Sequence, residues 1–455
     1  MIIDNILKEQ VSMKSTPIDY STVERVLEES RIGDIGNASI REIKRLVDLL
    51  EKESGHRFIR MEMGIPGLAP VRIGIEAEKE ALELGIPAVY PDIYGKSELK
   101  EEISRFCKLF LNIDVNPDGC IPTVGSMQGS FASFMTLNRM HKERGKTLFL
   151  NPGFPVHMQQ IRNLGQESFE FDVYHYRGEK LHKKMESYLK TGEVSTILYS
   201  NPNNPSWICF TERELKIIAE LADQYNVIVI EDLAYFGMDF RKDYSRPGEP
   251  PYQPSVAHYT DNYVLLISSS KIFSYAGQRI GMMVISNKIY NTEAPDLLRF
   301  YKFSKIGPAI IFGTLYSLSS GTAHTPQYAL LAILKAVNDG KFNYRDVVME
   351  YGDKARIMKK MFTDNGFKIV YDKDEDKPIA DGFYFTFSYP GFSGGRLLRE
   401  LLFYGISAIT LTITGSDRLE GIRACVSLVA RNQFPDLEFR LKKFHEDHPI
   451  EDAEE

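Results

Sequence analysis

The stretch STILYSNPNNPSWICFTERELKIIAELADQYNVIVIED, residues 195–232, decides the fold. It holds two short apolar runs, 195–201 and 226–232, on either side of a helical pattern. Thr211 and Glu214 form an S/T-x-x-E capping box, which predicts a helix over 211–226. The apolar stripe of that helix is Leu215, Ile218, Ala222 and Tyr225. Strands that are apolar on both faces and joined by a helix are typical of a parallel sheet covered by helices on both sides.

Three further candidate strands extend this pattern along the chain. They are TLFLN (147–151), YVLLISSS (263–270) and GMMVIS (281–286). The repeated strand–helix–strand order predicts a doubly wound α/β domain with a mostly parallel sheet. We expect this large domain to span 96–305, with a helical N-terminal arm over 1–55 and a smaller α+β domain formed by 56–95 and 306–455.

The bulk composition excludes several classes of protein. The chain has 455 residues and a net charge of −7, with 43% hydrophobic and 26% charged residues, as expected of a soluble globular protein with two or three domains. The four cysteines are too few and too widely spaced for a disulfide framework, so we expect a cytoplasmic protein. The first residues, MIIDNILKEQ, lack the pattern of a secretory signal, and no apolar run approaches the length of a membrane span. The mild acidity argues against nucleic-acid binding.

Polar stretches follow the predicted strands at the points where they end. In an open parallel sheet, ligands bind beyond the carboxyl ends of the strands. The stretches are NPGFP (151–155), NPNNPSW (201–207), EDLAY (231–235) and SSSK (268–271). Taken singly, Asp232 is a helix cap, Asn204 a turn residue, Lys271 a solvated lysine and Arg279 a surface ion-pair partner. Together they predict a site on one rim of the sheet.

The order of these motifs resembles that of the fold-type I pyridoxal-phosphate enzymes, in particular the class I/II aminotransferases. The resemblance runs through most of the chain. The other matching motifs are MGIPGLAP (63–70), YPDIYGKSELKEEI (90–103), TVGSMQG (123–129), the arginine eight residues after Lys271, and GIRACVS (421–427). The fold that this resemblance implies is the pyridoxal-phosphate-dependent transferase fold type I.

The resemblance implies pyridoxal 5′-phosphate as the cofactor and gives the rim residues roles. Pyridoxal phosphate draws electrons from the Cα of an amino acid into its ring. Lys271 would hold it as a Schiff base and then shuttle the proton, and Asp232 would keep the ring nitrogen protonated. Asn204 and Tyr235 would donate hydrogen bonds to its phenolic oxygen O3′, and Phe154 would cover one face of the ring. The implied catalytic residues are Lys271, Asp232 and Tyr235.

The resemblance also implies sites for the phosphate and the substrate. Arg279, the Ser268 hydroxyl and the backbone N–H groups of Ser126 and Met127 would bind the phosphate. Tyr90 matches a residue that reaches the phosphate from the neighbouring subunit, so the expected assembly is a homodimer with shared active sites. Arg423 would bind the substrate α-carboxylate, with Asn204 beside it. No metal site is expected, because His445 and His448 lie in a charged tail, and His157 is interpreted as a surface or supporting histidine.

The implied function is exchange of an amino group between an amino acid and a 2-oxo acid, by way of pyridoxamine phosphate in a ping-pong cycle. A pyridoxal-phosphate-dependent lyase or decarboxylase is an alternative, because the same residues support those reactions. A regulatory or binding protein of this fold is a second one. Residues 1–55 disfavour it, since they hold eight Lys/Arg against eleven Asp/Glu, the wrong sign for binding nucleic acid. No second arginine indicates a dicarboxylic substrate, whereas Phe154, Tyr94, Trp207 and Tyr275 hint at apolar or aromatic side chains.

Three positions depart from the family pattern. Trp207, the only tryptophan, stands where a glycine is usual, and we expect its indole to have a packing role. Met127 replaces a residue that often supplies a hydroxyl group. Gly67 stands where the family commonly has an aspartate.

Overall fold

The computed structural model describes residues 16–450. The predicted absence of a secretory signal falls on residues outside this range, as does the start of the predicted arm. The strands of the described chain are β1 (Ile59–Arg60), β2 (Cys120–Thr123), β3 (Lys146–Asn151), β4 (Ser168–Asp172), β5 (Val194–Ser200), β6 (Ile228–Leu233), β7 (Tyr263–Ser268), β8 (Gly281–Ile285), β9 (Lys368–Ile369), β10 (Lys373–Asp374), β11 (Lys377–Pro378), β12 (Tyr384–Ser388), β13 (Ile406–Ser407), β14 (Ile409–Thr410) and β15 (Ile422–Cys425).

The α-helices of the same range alternate with these strands through the middle of the chain. They are α1 (Tyr20–Ser30), α2 (Ile40–Ser54), α3 (Arg72–Glu83), α4 (Ser97–Phe106), α5 (Gly125–Leu137), α6 (Pro155–Asn163), α7 (Lys180–Leu189), α8 (Glu212–Tyr225), α9 (Ser269–Ile272), α10 (Asn287–Asn291), α11 (Ile306–Pro308), α12 (Tyr316–Ser319), α13 (His324–Asn338), α14 (Arg345–Asp364), α15 (Gly394–Phe403) and α16 (Phe434–Asp447). Two π-helical segments, Cys107–Leu111 and Ala309–Leu315, extend α4 and α11.

The central sheet has seven strands in the order β2-β8-β7-β6-β5-β3-β4. Strands β4, β3, β5, β6 and β7 are parallel neighbours, which confirms the predicted doubly wound, mostly parallel sheet. The strand predicted over 281–286 belongs to this sheet as β8, but it pairs antiparallel with β7. The reason is the short connection between them, which contains only the four-residue α9 and the three-residue 3-10 helix Ala276–Gln278 and no crossover helix.

The helix predicted over 211–226 is confirmed as α8. The Thr211 hydroxyl accepts a hydrogen bond from the Glu214 N–H, and the Glu214 carboxylate accepts one from the Thr211 N–H. This capping box satisfies two backbone donors at the start of the helix. The apolar face of α8 packs on one face of the sheet, while α5 packs on the other. In β6, Val229 and Leu233 face α8, whereas Ile228 and Ile230 face α5.

The C-terminal part of the chain forms a second, antiparallel sheet in the order β14-β15-β12-β9. Helices α1 and α2 lie against this region, where Tyr20 stacks on Phe403 at 4.6 Å and the Ile18 N–H donates to the Phe403 carbonyl. Residues 306–315 pack instead in the large-sheet core beside α5. The domain limits at 95 and 305 therefore stay a prediction. Among residues 16–450, no helix is both long and apolar enough to cross a bilayer.

Candidate active site

The carboxyl ends of β6 and β7 bring an acid and a base into one electrostatic environment. Asp232 lies near the end of β6, on the face covered by α5, and is buried. Lys271 follows β7 in α9, and the charges of Asp232, Arg279 and Arg423 all act on its amino group. Four of the charged residues that the sequence singles out therefore interact here, three from the rim of the large sheet and Arg423 from elsewhere in the chain.

A buried histidine lies behind Asp232. His157 belongs to α6, and its Nε2 lies 3.8 Å from Oδ2 of Asp232. Burial lowers the pKa of His157 to about 4, so its ring is neutral near pH 7. The structure thus places it against Asp232 in the interior, which excludes the surface interpretation and agrees with the supporting one.

Both Asp232 and Lys271 titrate near neutrality. Burial raises the pKa of Asp232 to about 7, although the Ala234 N–H, 3.1 Å from Oδ1, and the charge of Lys271 oppose the shift. Burial also lowers the pKa of Lys271 to about 8, with Arg279 and Arg423 lowering it further and Asp232 opposing. A lysine with such a pKa has a much larger fraction of neutral amine near pH 7 than an ordinary lysine, which favours a role as a nucleophile or a general base.

The first turn of α5 lies beside the guanidinium group of Arg279, and we call this arrangement the cradle. Glycines at positions 125 and 281 leave it free of other side chains. Gly125, which begins α5, has a φ of 67°, and a Cβ atom there would lie 2.5 Å from Nη2 of Arg279. A Cβ on Gly281 would lie 2.9 Å from the Ser126 backbone nitrogen. Arg279 is solvent-exposed, with Nη1 donating to the Ala276 carbonyl at 2.9 Å. A helix N-terminus beside a guanidinium group is suited to bind an anion.

Two further predicted phosphate ligands lie on or next to this cradle. The Ser268 hydroxyl caps α9 by accepting from the Ser270 N–H at 3.2 Å, and Ser268 is buried at the end of β7. Met127 lies in the first turn of α5 with a half-exposed side chain. Because its side chain has no hydroxyl, only its backbone N–H is available to an anion.

Arg423 lies in the middle of β15 on the second sheet, and its side chain is only 1% exposed. Nη1 donates to Oδ1 of Asn204 at 3.3 Å and Nη2 donates to the Glu62 carbonyl at 2.5 Å. Its Nε is buried and has no hydrogen-bond partner among the described residues. Within residues 16–450 this guanidinium group also has no carboxylate partner, and a buried guanidinium with an unused donor is suited to bind an anionic ligand.

Tyr235 lies in an aromatic cluster with Trp207 and Tyr384. Its hydroxyl donates to the Tyr384 hydroxyl at 2.8 Å, and its ring contacts the Trp207 ring edge-on at 5.3 Å. The guanidinium of Arg423 lies over the Tyr384 ring, 4.5 Å from its centroid. This cluster connects the rim of the large sheet to the second sheet.

The remaining two predicted residues differ in placement. Phe154 precedes α6 and contacts the His157 ring edge-on at 5.5 Å, so it belongs to the same cluster as Asp232. Tyr90 is 87% exposed, and within residues 16–450 the structure shows no hydrogen bond or ring contact from it to the other predicted residues. Tyr90 therefore lies apart from the other predicted site residues of the same chain.

The sequence profile of the family described as Aminotransferase class I and II matches residues 58–370, which is more than half of the chain. The chain belongs to the class I and II aminotransferases. It is an aminotransferase, a pyridoxal-phosphate-dependent transferase of fold type I, and its cofactor is pyridoxal 5′-phosphate.

Relatives and solved structures agree with this assignment. This aminotransferase is 28% identical over 361 residues to a probable aspartate aminotransferase of Methanocaldococcus jannaschii, covering 73% of this chain and 88% of the relative. It is 26% identical over 277 residues to aromatic-amino-acid aminotransferase 2 of Thermococcus litoralis, covering 58% of this chain and 68% of the relative. The crystal structure of aspartate aminotransferase from Thermotoga maritima superposes with a TM-score of 0.73 at 18% identity, covering 92% of this chain and 99% of that chain. At that identity, the superposition shows the shared fold alone.

The residues of this aminotransferase fit its cofactor. The buried carboxyl of Asp232 is flanked by a neutral histidine, so a protonated ring nitrogen would supply the positive charge that its ionised form needs. The cradle of Gly125, Ser126 and Arg279 fits a phosphate group, because the absence of a Cβ at Gly125 lets the Arg279 guanidinium lie against the start of the helix. Lys271 interacts electrostatically with both Asp232 and Arg279, and its lowered pKa suits nucleophilic attack on an aldehyde.

The structure explains two of the departures from the family pattern. Trp207 is fully buried with a φ of 65°, and a Cβ on Gly382 would lie 1.9 Å from the indole. The indole therefore has the packing role that the sequence predicts, and it requires a glycine opposite. A Cβ on Gly67 would lie 1.9 Å from the Ser427 carbonyl oxygen, so no side chain is tolerated where the family commonly has an aspartate.

Two residues of the site were not assigned roles from the sequence. His157 follows NPGFP within the first turn of α6, and its closeness to that motif was the only sequence feature that indicated a place near the site. Tyr384 belongs to a strand in the C-terminal part of the chain, where DGFYFTFS (381–388) offers an apolar alternation and no polar motif. Only the register of β12 with β15, which places Thr386 opposite Arg423, brings Tyr384 into the site.

Proposed function

We propose that this aminotransferase moves the amino group of an α-amino acid to a 2-oxo acid in two half-reactions, with Lys271, Asp232 and Arg423 as the central residues. The observation that carries the proposal is Arg423, which is buried, has an unpartnered Nε, and lies close enough to Lys271 for its charge to lower the lysine pKa. An α-carboxylate bound there would present its Cα near the lysine amine.

The pair of Lys271 and Asp232 would carry the proton chemistry. When bound, pyridoxal phosphate supplies an electron sink that stabilises negative charge at the substrate Cα. Lys271 would bind the cofactor covalently and then remove and return the proton at Cα, since its pKa of about 8 suits a general base at working pH. Asp232, with His157 behind it, would hold its negative charge against the cofactor nitrogen.

Other residues would bind and orient the cofactor. Tyr235 and Asn204 would donate to the phenolic oxygen O3′, and Phe154 would cover the ring. Asn204 would also hold Arg423 in place, as its Oδ1 accepts from the guanidinium at 3.3 Å. The groups proposed for the phosphate are the backbone N–H of Ser126 and Met127, the Ser268 hydroxyl, Arg279, and Tyr90 of a second copy of the chain.

We further propose a homodimer with shared active sites and a cytoplasmic location. Support for the dimer comes from the stretch before and including Tyr90, where Leu82, Leu84 and Val89 also expose more than half of their side chains. Exposed apolar residues so close in sequence are typical of an interface. Support for the location comes from the four cysteines, which are all unpaired and buried.

Absorption spectroscopy tests the proposed function. Purified protein loaded with pyridoxal phosphate is expected to show a visible band that Lys271→Ala lacks and the surface variant Lys216→Ala keeps. Addition of an amino acid without any oxo acid should discharge this band and release one equivalent of the matching oxo acid. Aspartate, aromatic and aliphatic amino acids are tested separately, because the named relatives act on different donors. Release of ammonia or carbon dioxide in place of the half-reaction would contradict the proposal.

A further inference from the structure

A buried hydroxyl–hydroxyl hydrogen bond joins the two sheets at the active site. Tyr235 follows β6 on the large sheet, whereas Tyr384 begins β12 on the second sheet. Their hydroxyl oxygens lie 2.8 Å apart, and their rings meet edge-on at 5.4 Å. Both side chains are buried, so neither hydroxyl can exchange this partner freely for solvent water.

The backbone leaves a defined space for the Tyr384 hydroxyl. A Cβ atom built on Gly64 would lie 2.0 Å from that oxygen. Any side chain at position 64 would therefore displace the hydroxyl and break its contact with Tyr235. The ring of Tyr384 is held independently, because the Arg423 guanidinium lies over its face.

The proton count of this pair leads to the inference. In the structure the Tyr235 hydroxyl donates to the Tyr384 hydroxyl. A phenol has one proton to donate and two lone pairs to accept. Tyr235 therefore cannot donate to the cofactor and to Tyr384 at the same time. If it donates to the cofactor, the hydrogen bond between the two tyrosines must reverse.

We propose that Tyr384 is a positioning residue that donates its hydroxyl proton to Tyr235, so that Tyr235 is free to donate its own proton to the cofactor oxygen O3′. This inference rests on the proposed function, because it needs Tyr235 to face that oxygen. Hydrogen bonds in a chain polarise one another, so a donor to Tyr235 makes Tyr235 a stronger donor. A stronger bond to O3′ stabilises the form of the bound cofactor that carries negative charge on that oxygen.

The surrounding charges are compatible with this arrangement. Burial raises the pKa of Tyr384, with the Cys425 thiol and Asp232 adding to the shift and Arg423 opposing it. Burial likewise raises the pKa of Tyr235 well above its usual value. Both side chains therefore remain phenols over the working pH range, and each keeps a proton to donate.

The test is a pH titration of the visible absorption of the holoenzyme. The midpoint of this titration is the spectroscopic pKa of the bound cofactor. Tyr235→Phe removes the direct hydrogen bond to O3′ and is expected to raise the spectroscopic pKa by about 1–2 pH units, as for a hydrogen bond to a charged group. Tyr384→Phe keeps the ring and removes only the hydroxyl. It is expected to raise the same pKa by about 0.1–0.6 pH units, because cooperative strengthening adds about 10–30% to a hydrogen bond.

The double variant separates this relay from other effects of Tyr384. In a Tyr235→Phe background, Tyr384→Phe is expected to leave the spectroscopic pKa unchanged, because its only route to O3′ is gone. An effect transmitted through Arg423 or through packing would be the same in both backgrounds, and that result would overturn the proposal. An unchanged pKa in the single Tyr384→Phe variant would overturn it too.

Two more variants control for folding. Tyr404→Phe removes another buried hydroxyl, which donates to Asp447 away from the site, and should leave the spectroscopic pKa unchanged. Gly64→Ala displaces the Tyr384 hydroxyl without removing it and should shift the pKa in the same direction as Tyr384→Phe, so it serves if that variant fails to fold. Failure of the proposed function is distinguishable, since it would appear as release of ammonia or carbon dioxide in place of the oxo acid, or as an unchanged spectroscopic pKa in the single Tyr235→Phe variant, whatever the result for Tyr384→Phe.

Discussion

The candidate active site has two walls that are built differently. On the large sheet, Asp232 and Lys271 lie at or just beyond the carboxyl ends of β6 and β7. On the second sheet, Arg423 and Tyr384 belong to β15 and β12 themselves, and their side chains stand on one face of an antiparallel sheet. A residue that follows a strand is oriented by the conformation of its loop. A residue inside a strand has its orientation fixed by the pairing register of that strand.

This difference matches a division of labour in the proposed chemistry. The rim holds groups whose pKa values lie near neutrality, namely Asp232 at about 7 and Lys271 at about 8. The strand wall holds the guanidinium group of Arg423 and a tyrosine whose pKa is raised by burial. Proton transfer is therefore assigned to the rim, and recognition and orientation to the strand wall.

The largest expected effect comes from the rim. Asp232→Asn keeps the shape of the side chain but removes the negative charge offered to the cofactor nitrogen. We expect kcat to fall by about 10²–10³-fold, the usual cost of removing one electrostatic group from an active site. Steady-state kinetics measure this effect, with Asp223→Asn on the surface of α8 as the matched control. A fall of less than fivefold in the holoenzyme would show that Asp232 does not act on the cofactor.

The second expected effect comes from the strand wall. Arg423→Lys keeps a positive charge but loses the planar pair of donors that fits a carboxylate. We expect KM for the amino acid to rise by about 10–100-fold, with a smaller change in kcat. The discriminating measurement uses the corresponding amine without an α-carboxylate, whose weak binding should be unaffected. A rise in KM equal for both compounds would contradict carboxylate binding at Arg423.

The two walls also differ in how far their sequence predicts them. The rim residues each follow an apolar run and precede a turn, so the general rule for parallel sheets identifies Asn204, Asp232 and Lys271. Arg423 was found only through its resemblance to a family motif, because an arginine inside a strand has an ordinary interpretation as a surface ion pair. Tyr384 could not be found, since its place in the site depends on a pairing between strands that are distant in sequence.

The same reasoning applies to the fold. The alternation of strand and helix predicts the parallel part of the large sheet, and the capping box of α8 fixes the start of a helix to within one residue. The antiparallel direction of β8 depends on the lack of a crossover helix between β7 and β8. The hydrophobic periodicity of the strand itself does not indicate this direction. The burial of His157 behind Asp232 likewise requires the packing of α6 on the sheet.

The packing contact between the two walls, at Trp207 and Gly382, gives a third prediction. Trp207 belongs to the loop after β5 on the large sheet, and its indole packs against Gly382 just before β12. Gly382→Ala is expected to destabilise the protein by up to about 3 kcal/mol, because the added methyl overpacks a filled core. Thermal unfolding measures the change, and Gly33→Ala, where no atom lies within 4 Å of the added carbon, is the matched control.

A double variant makes this third prediction specific. In a Trp207→Gly background the indole is gone, so Gly382→Ala is expected to cost almost nothing further. Equal costs in both backgrounds would show that the strain at position 382 arises from another neighbour. The two walls would then not be coupled through the indole.

The smallest expected effect is on the pH dependence of stability in the cofactor-free protein, and it is specific to the rim. The folded-state pKa of Asp232 is raised from 3.8 to about 7, so between these values the folded protein binds a proton that the unfolded chain has released. Stability therefore falls as pH rises through this window. Between pH 5 and 7 the contribution of Asp232 is about 2 kcal/mol, and Asp232→Asn should remove it.

Glu231 provides the internal control for that experiment. Its side chain lies on the opposite face of β6, where burial raises its pKa to about 7 as well, against hydrogen bonds from Ser255 and Tyr199. Glu231→Gln should therefore remove a similar slope in stability while leaving the spectroscopic titration of the holoenzyme unchanged. Binding of pyridoxal phosphate should abolish only the contribution of Asp232 to the pH dependence of stability, because the cofactor nitrogen supplies a positive charge only on that face of β6. If the cofactor left both slopes intact, Asp232 would not be its partner, and the rim would not differ from an ordinary buried strand end.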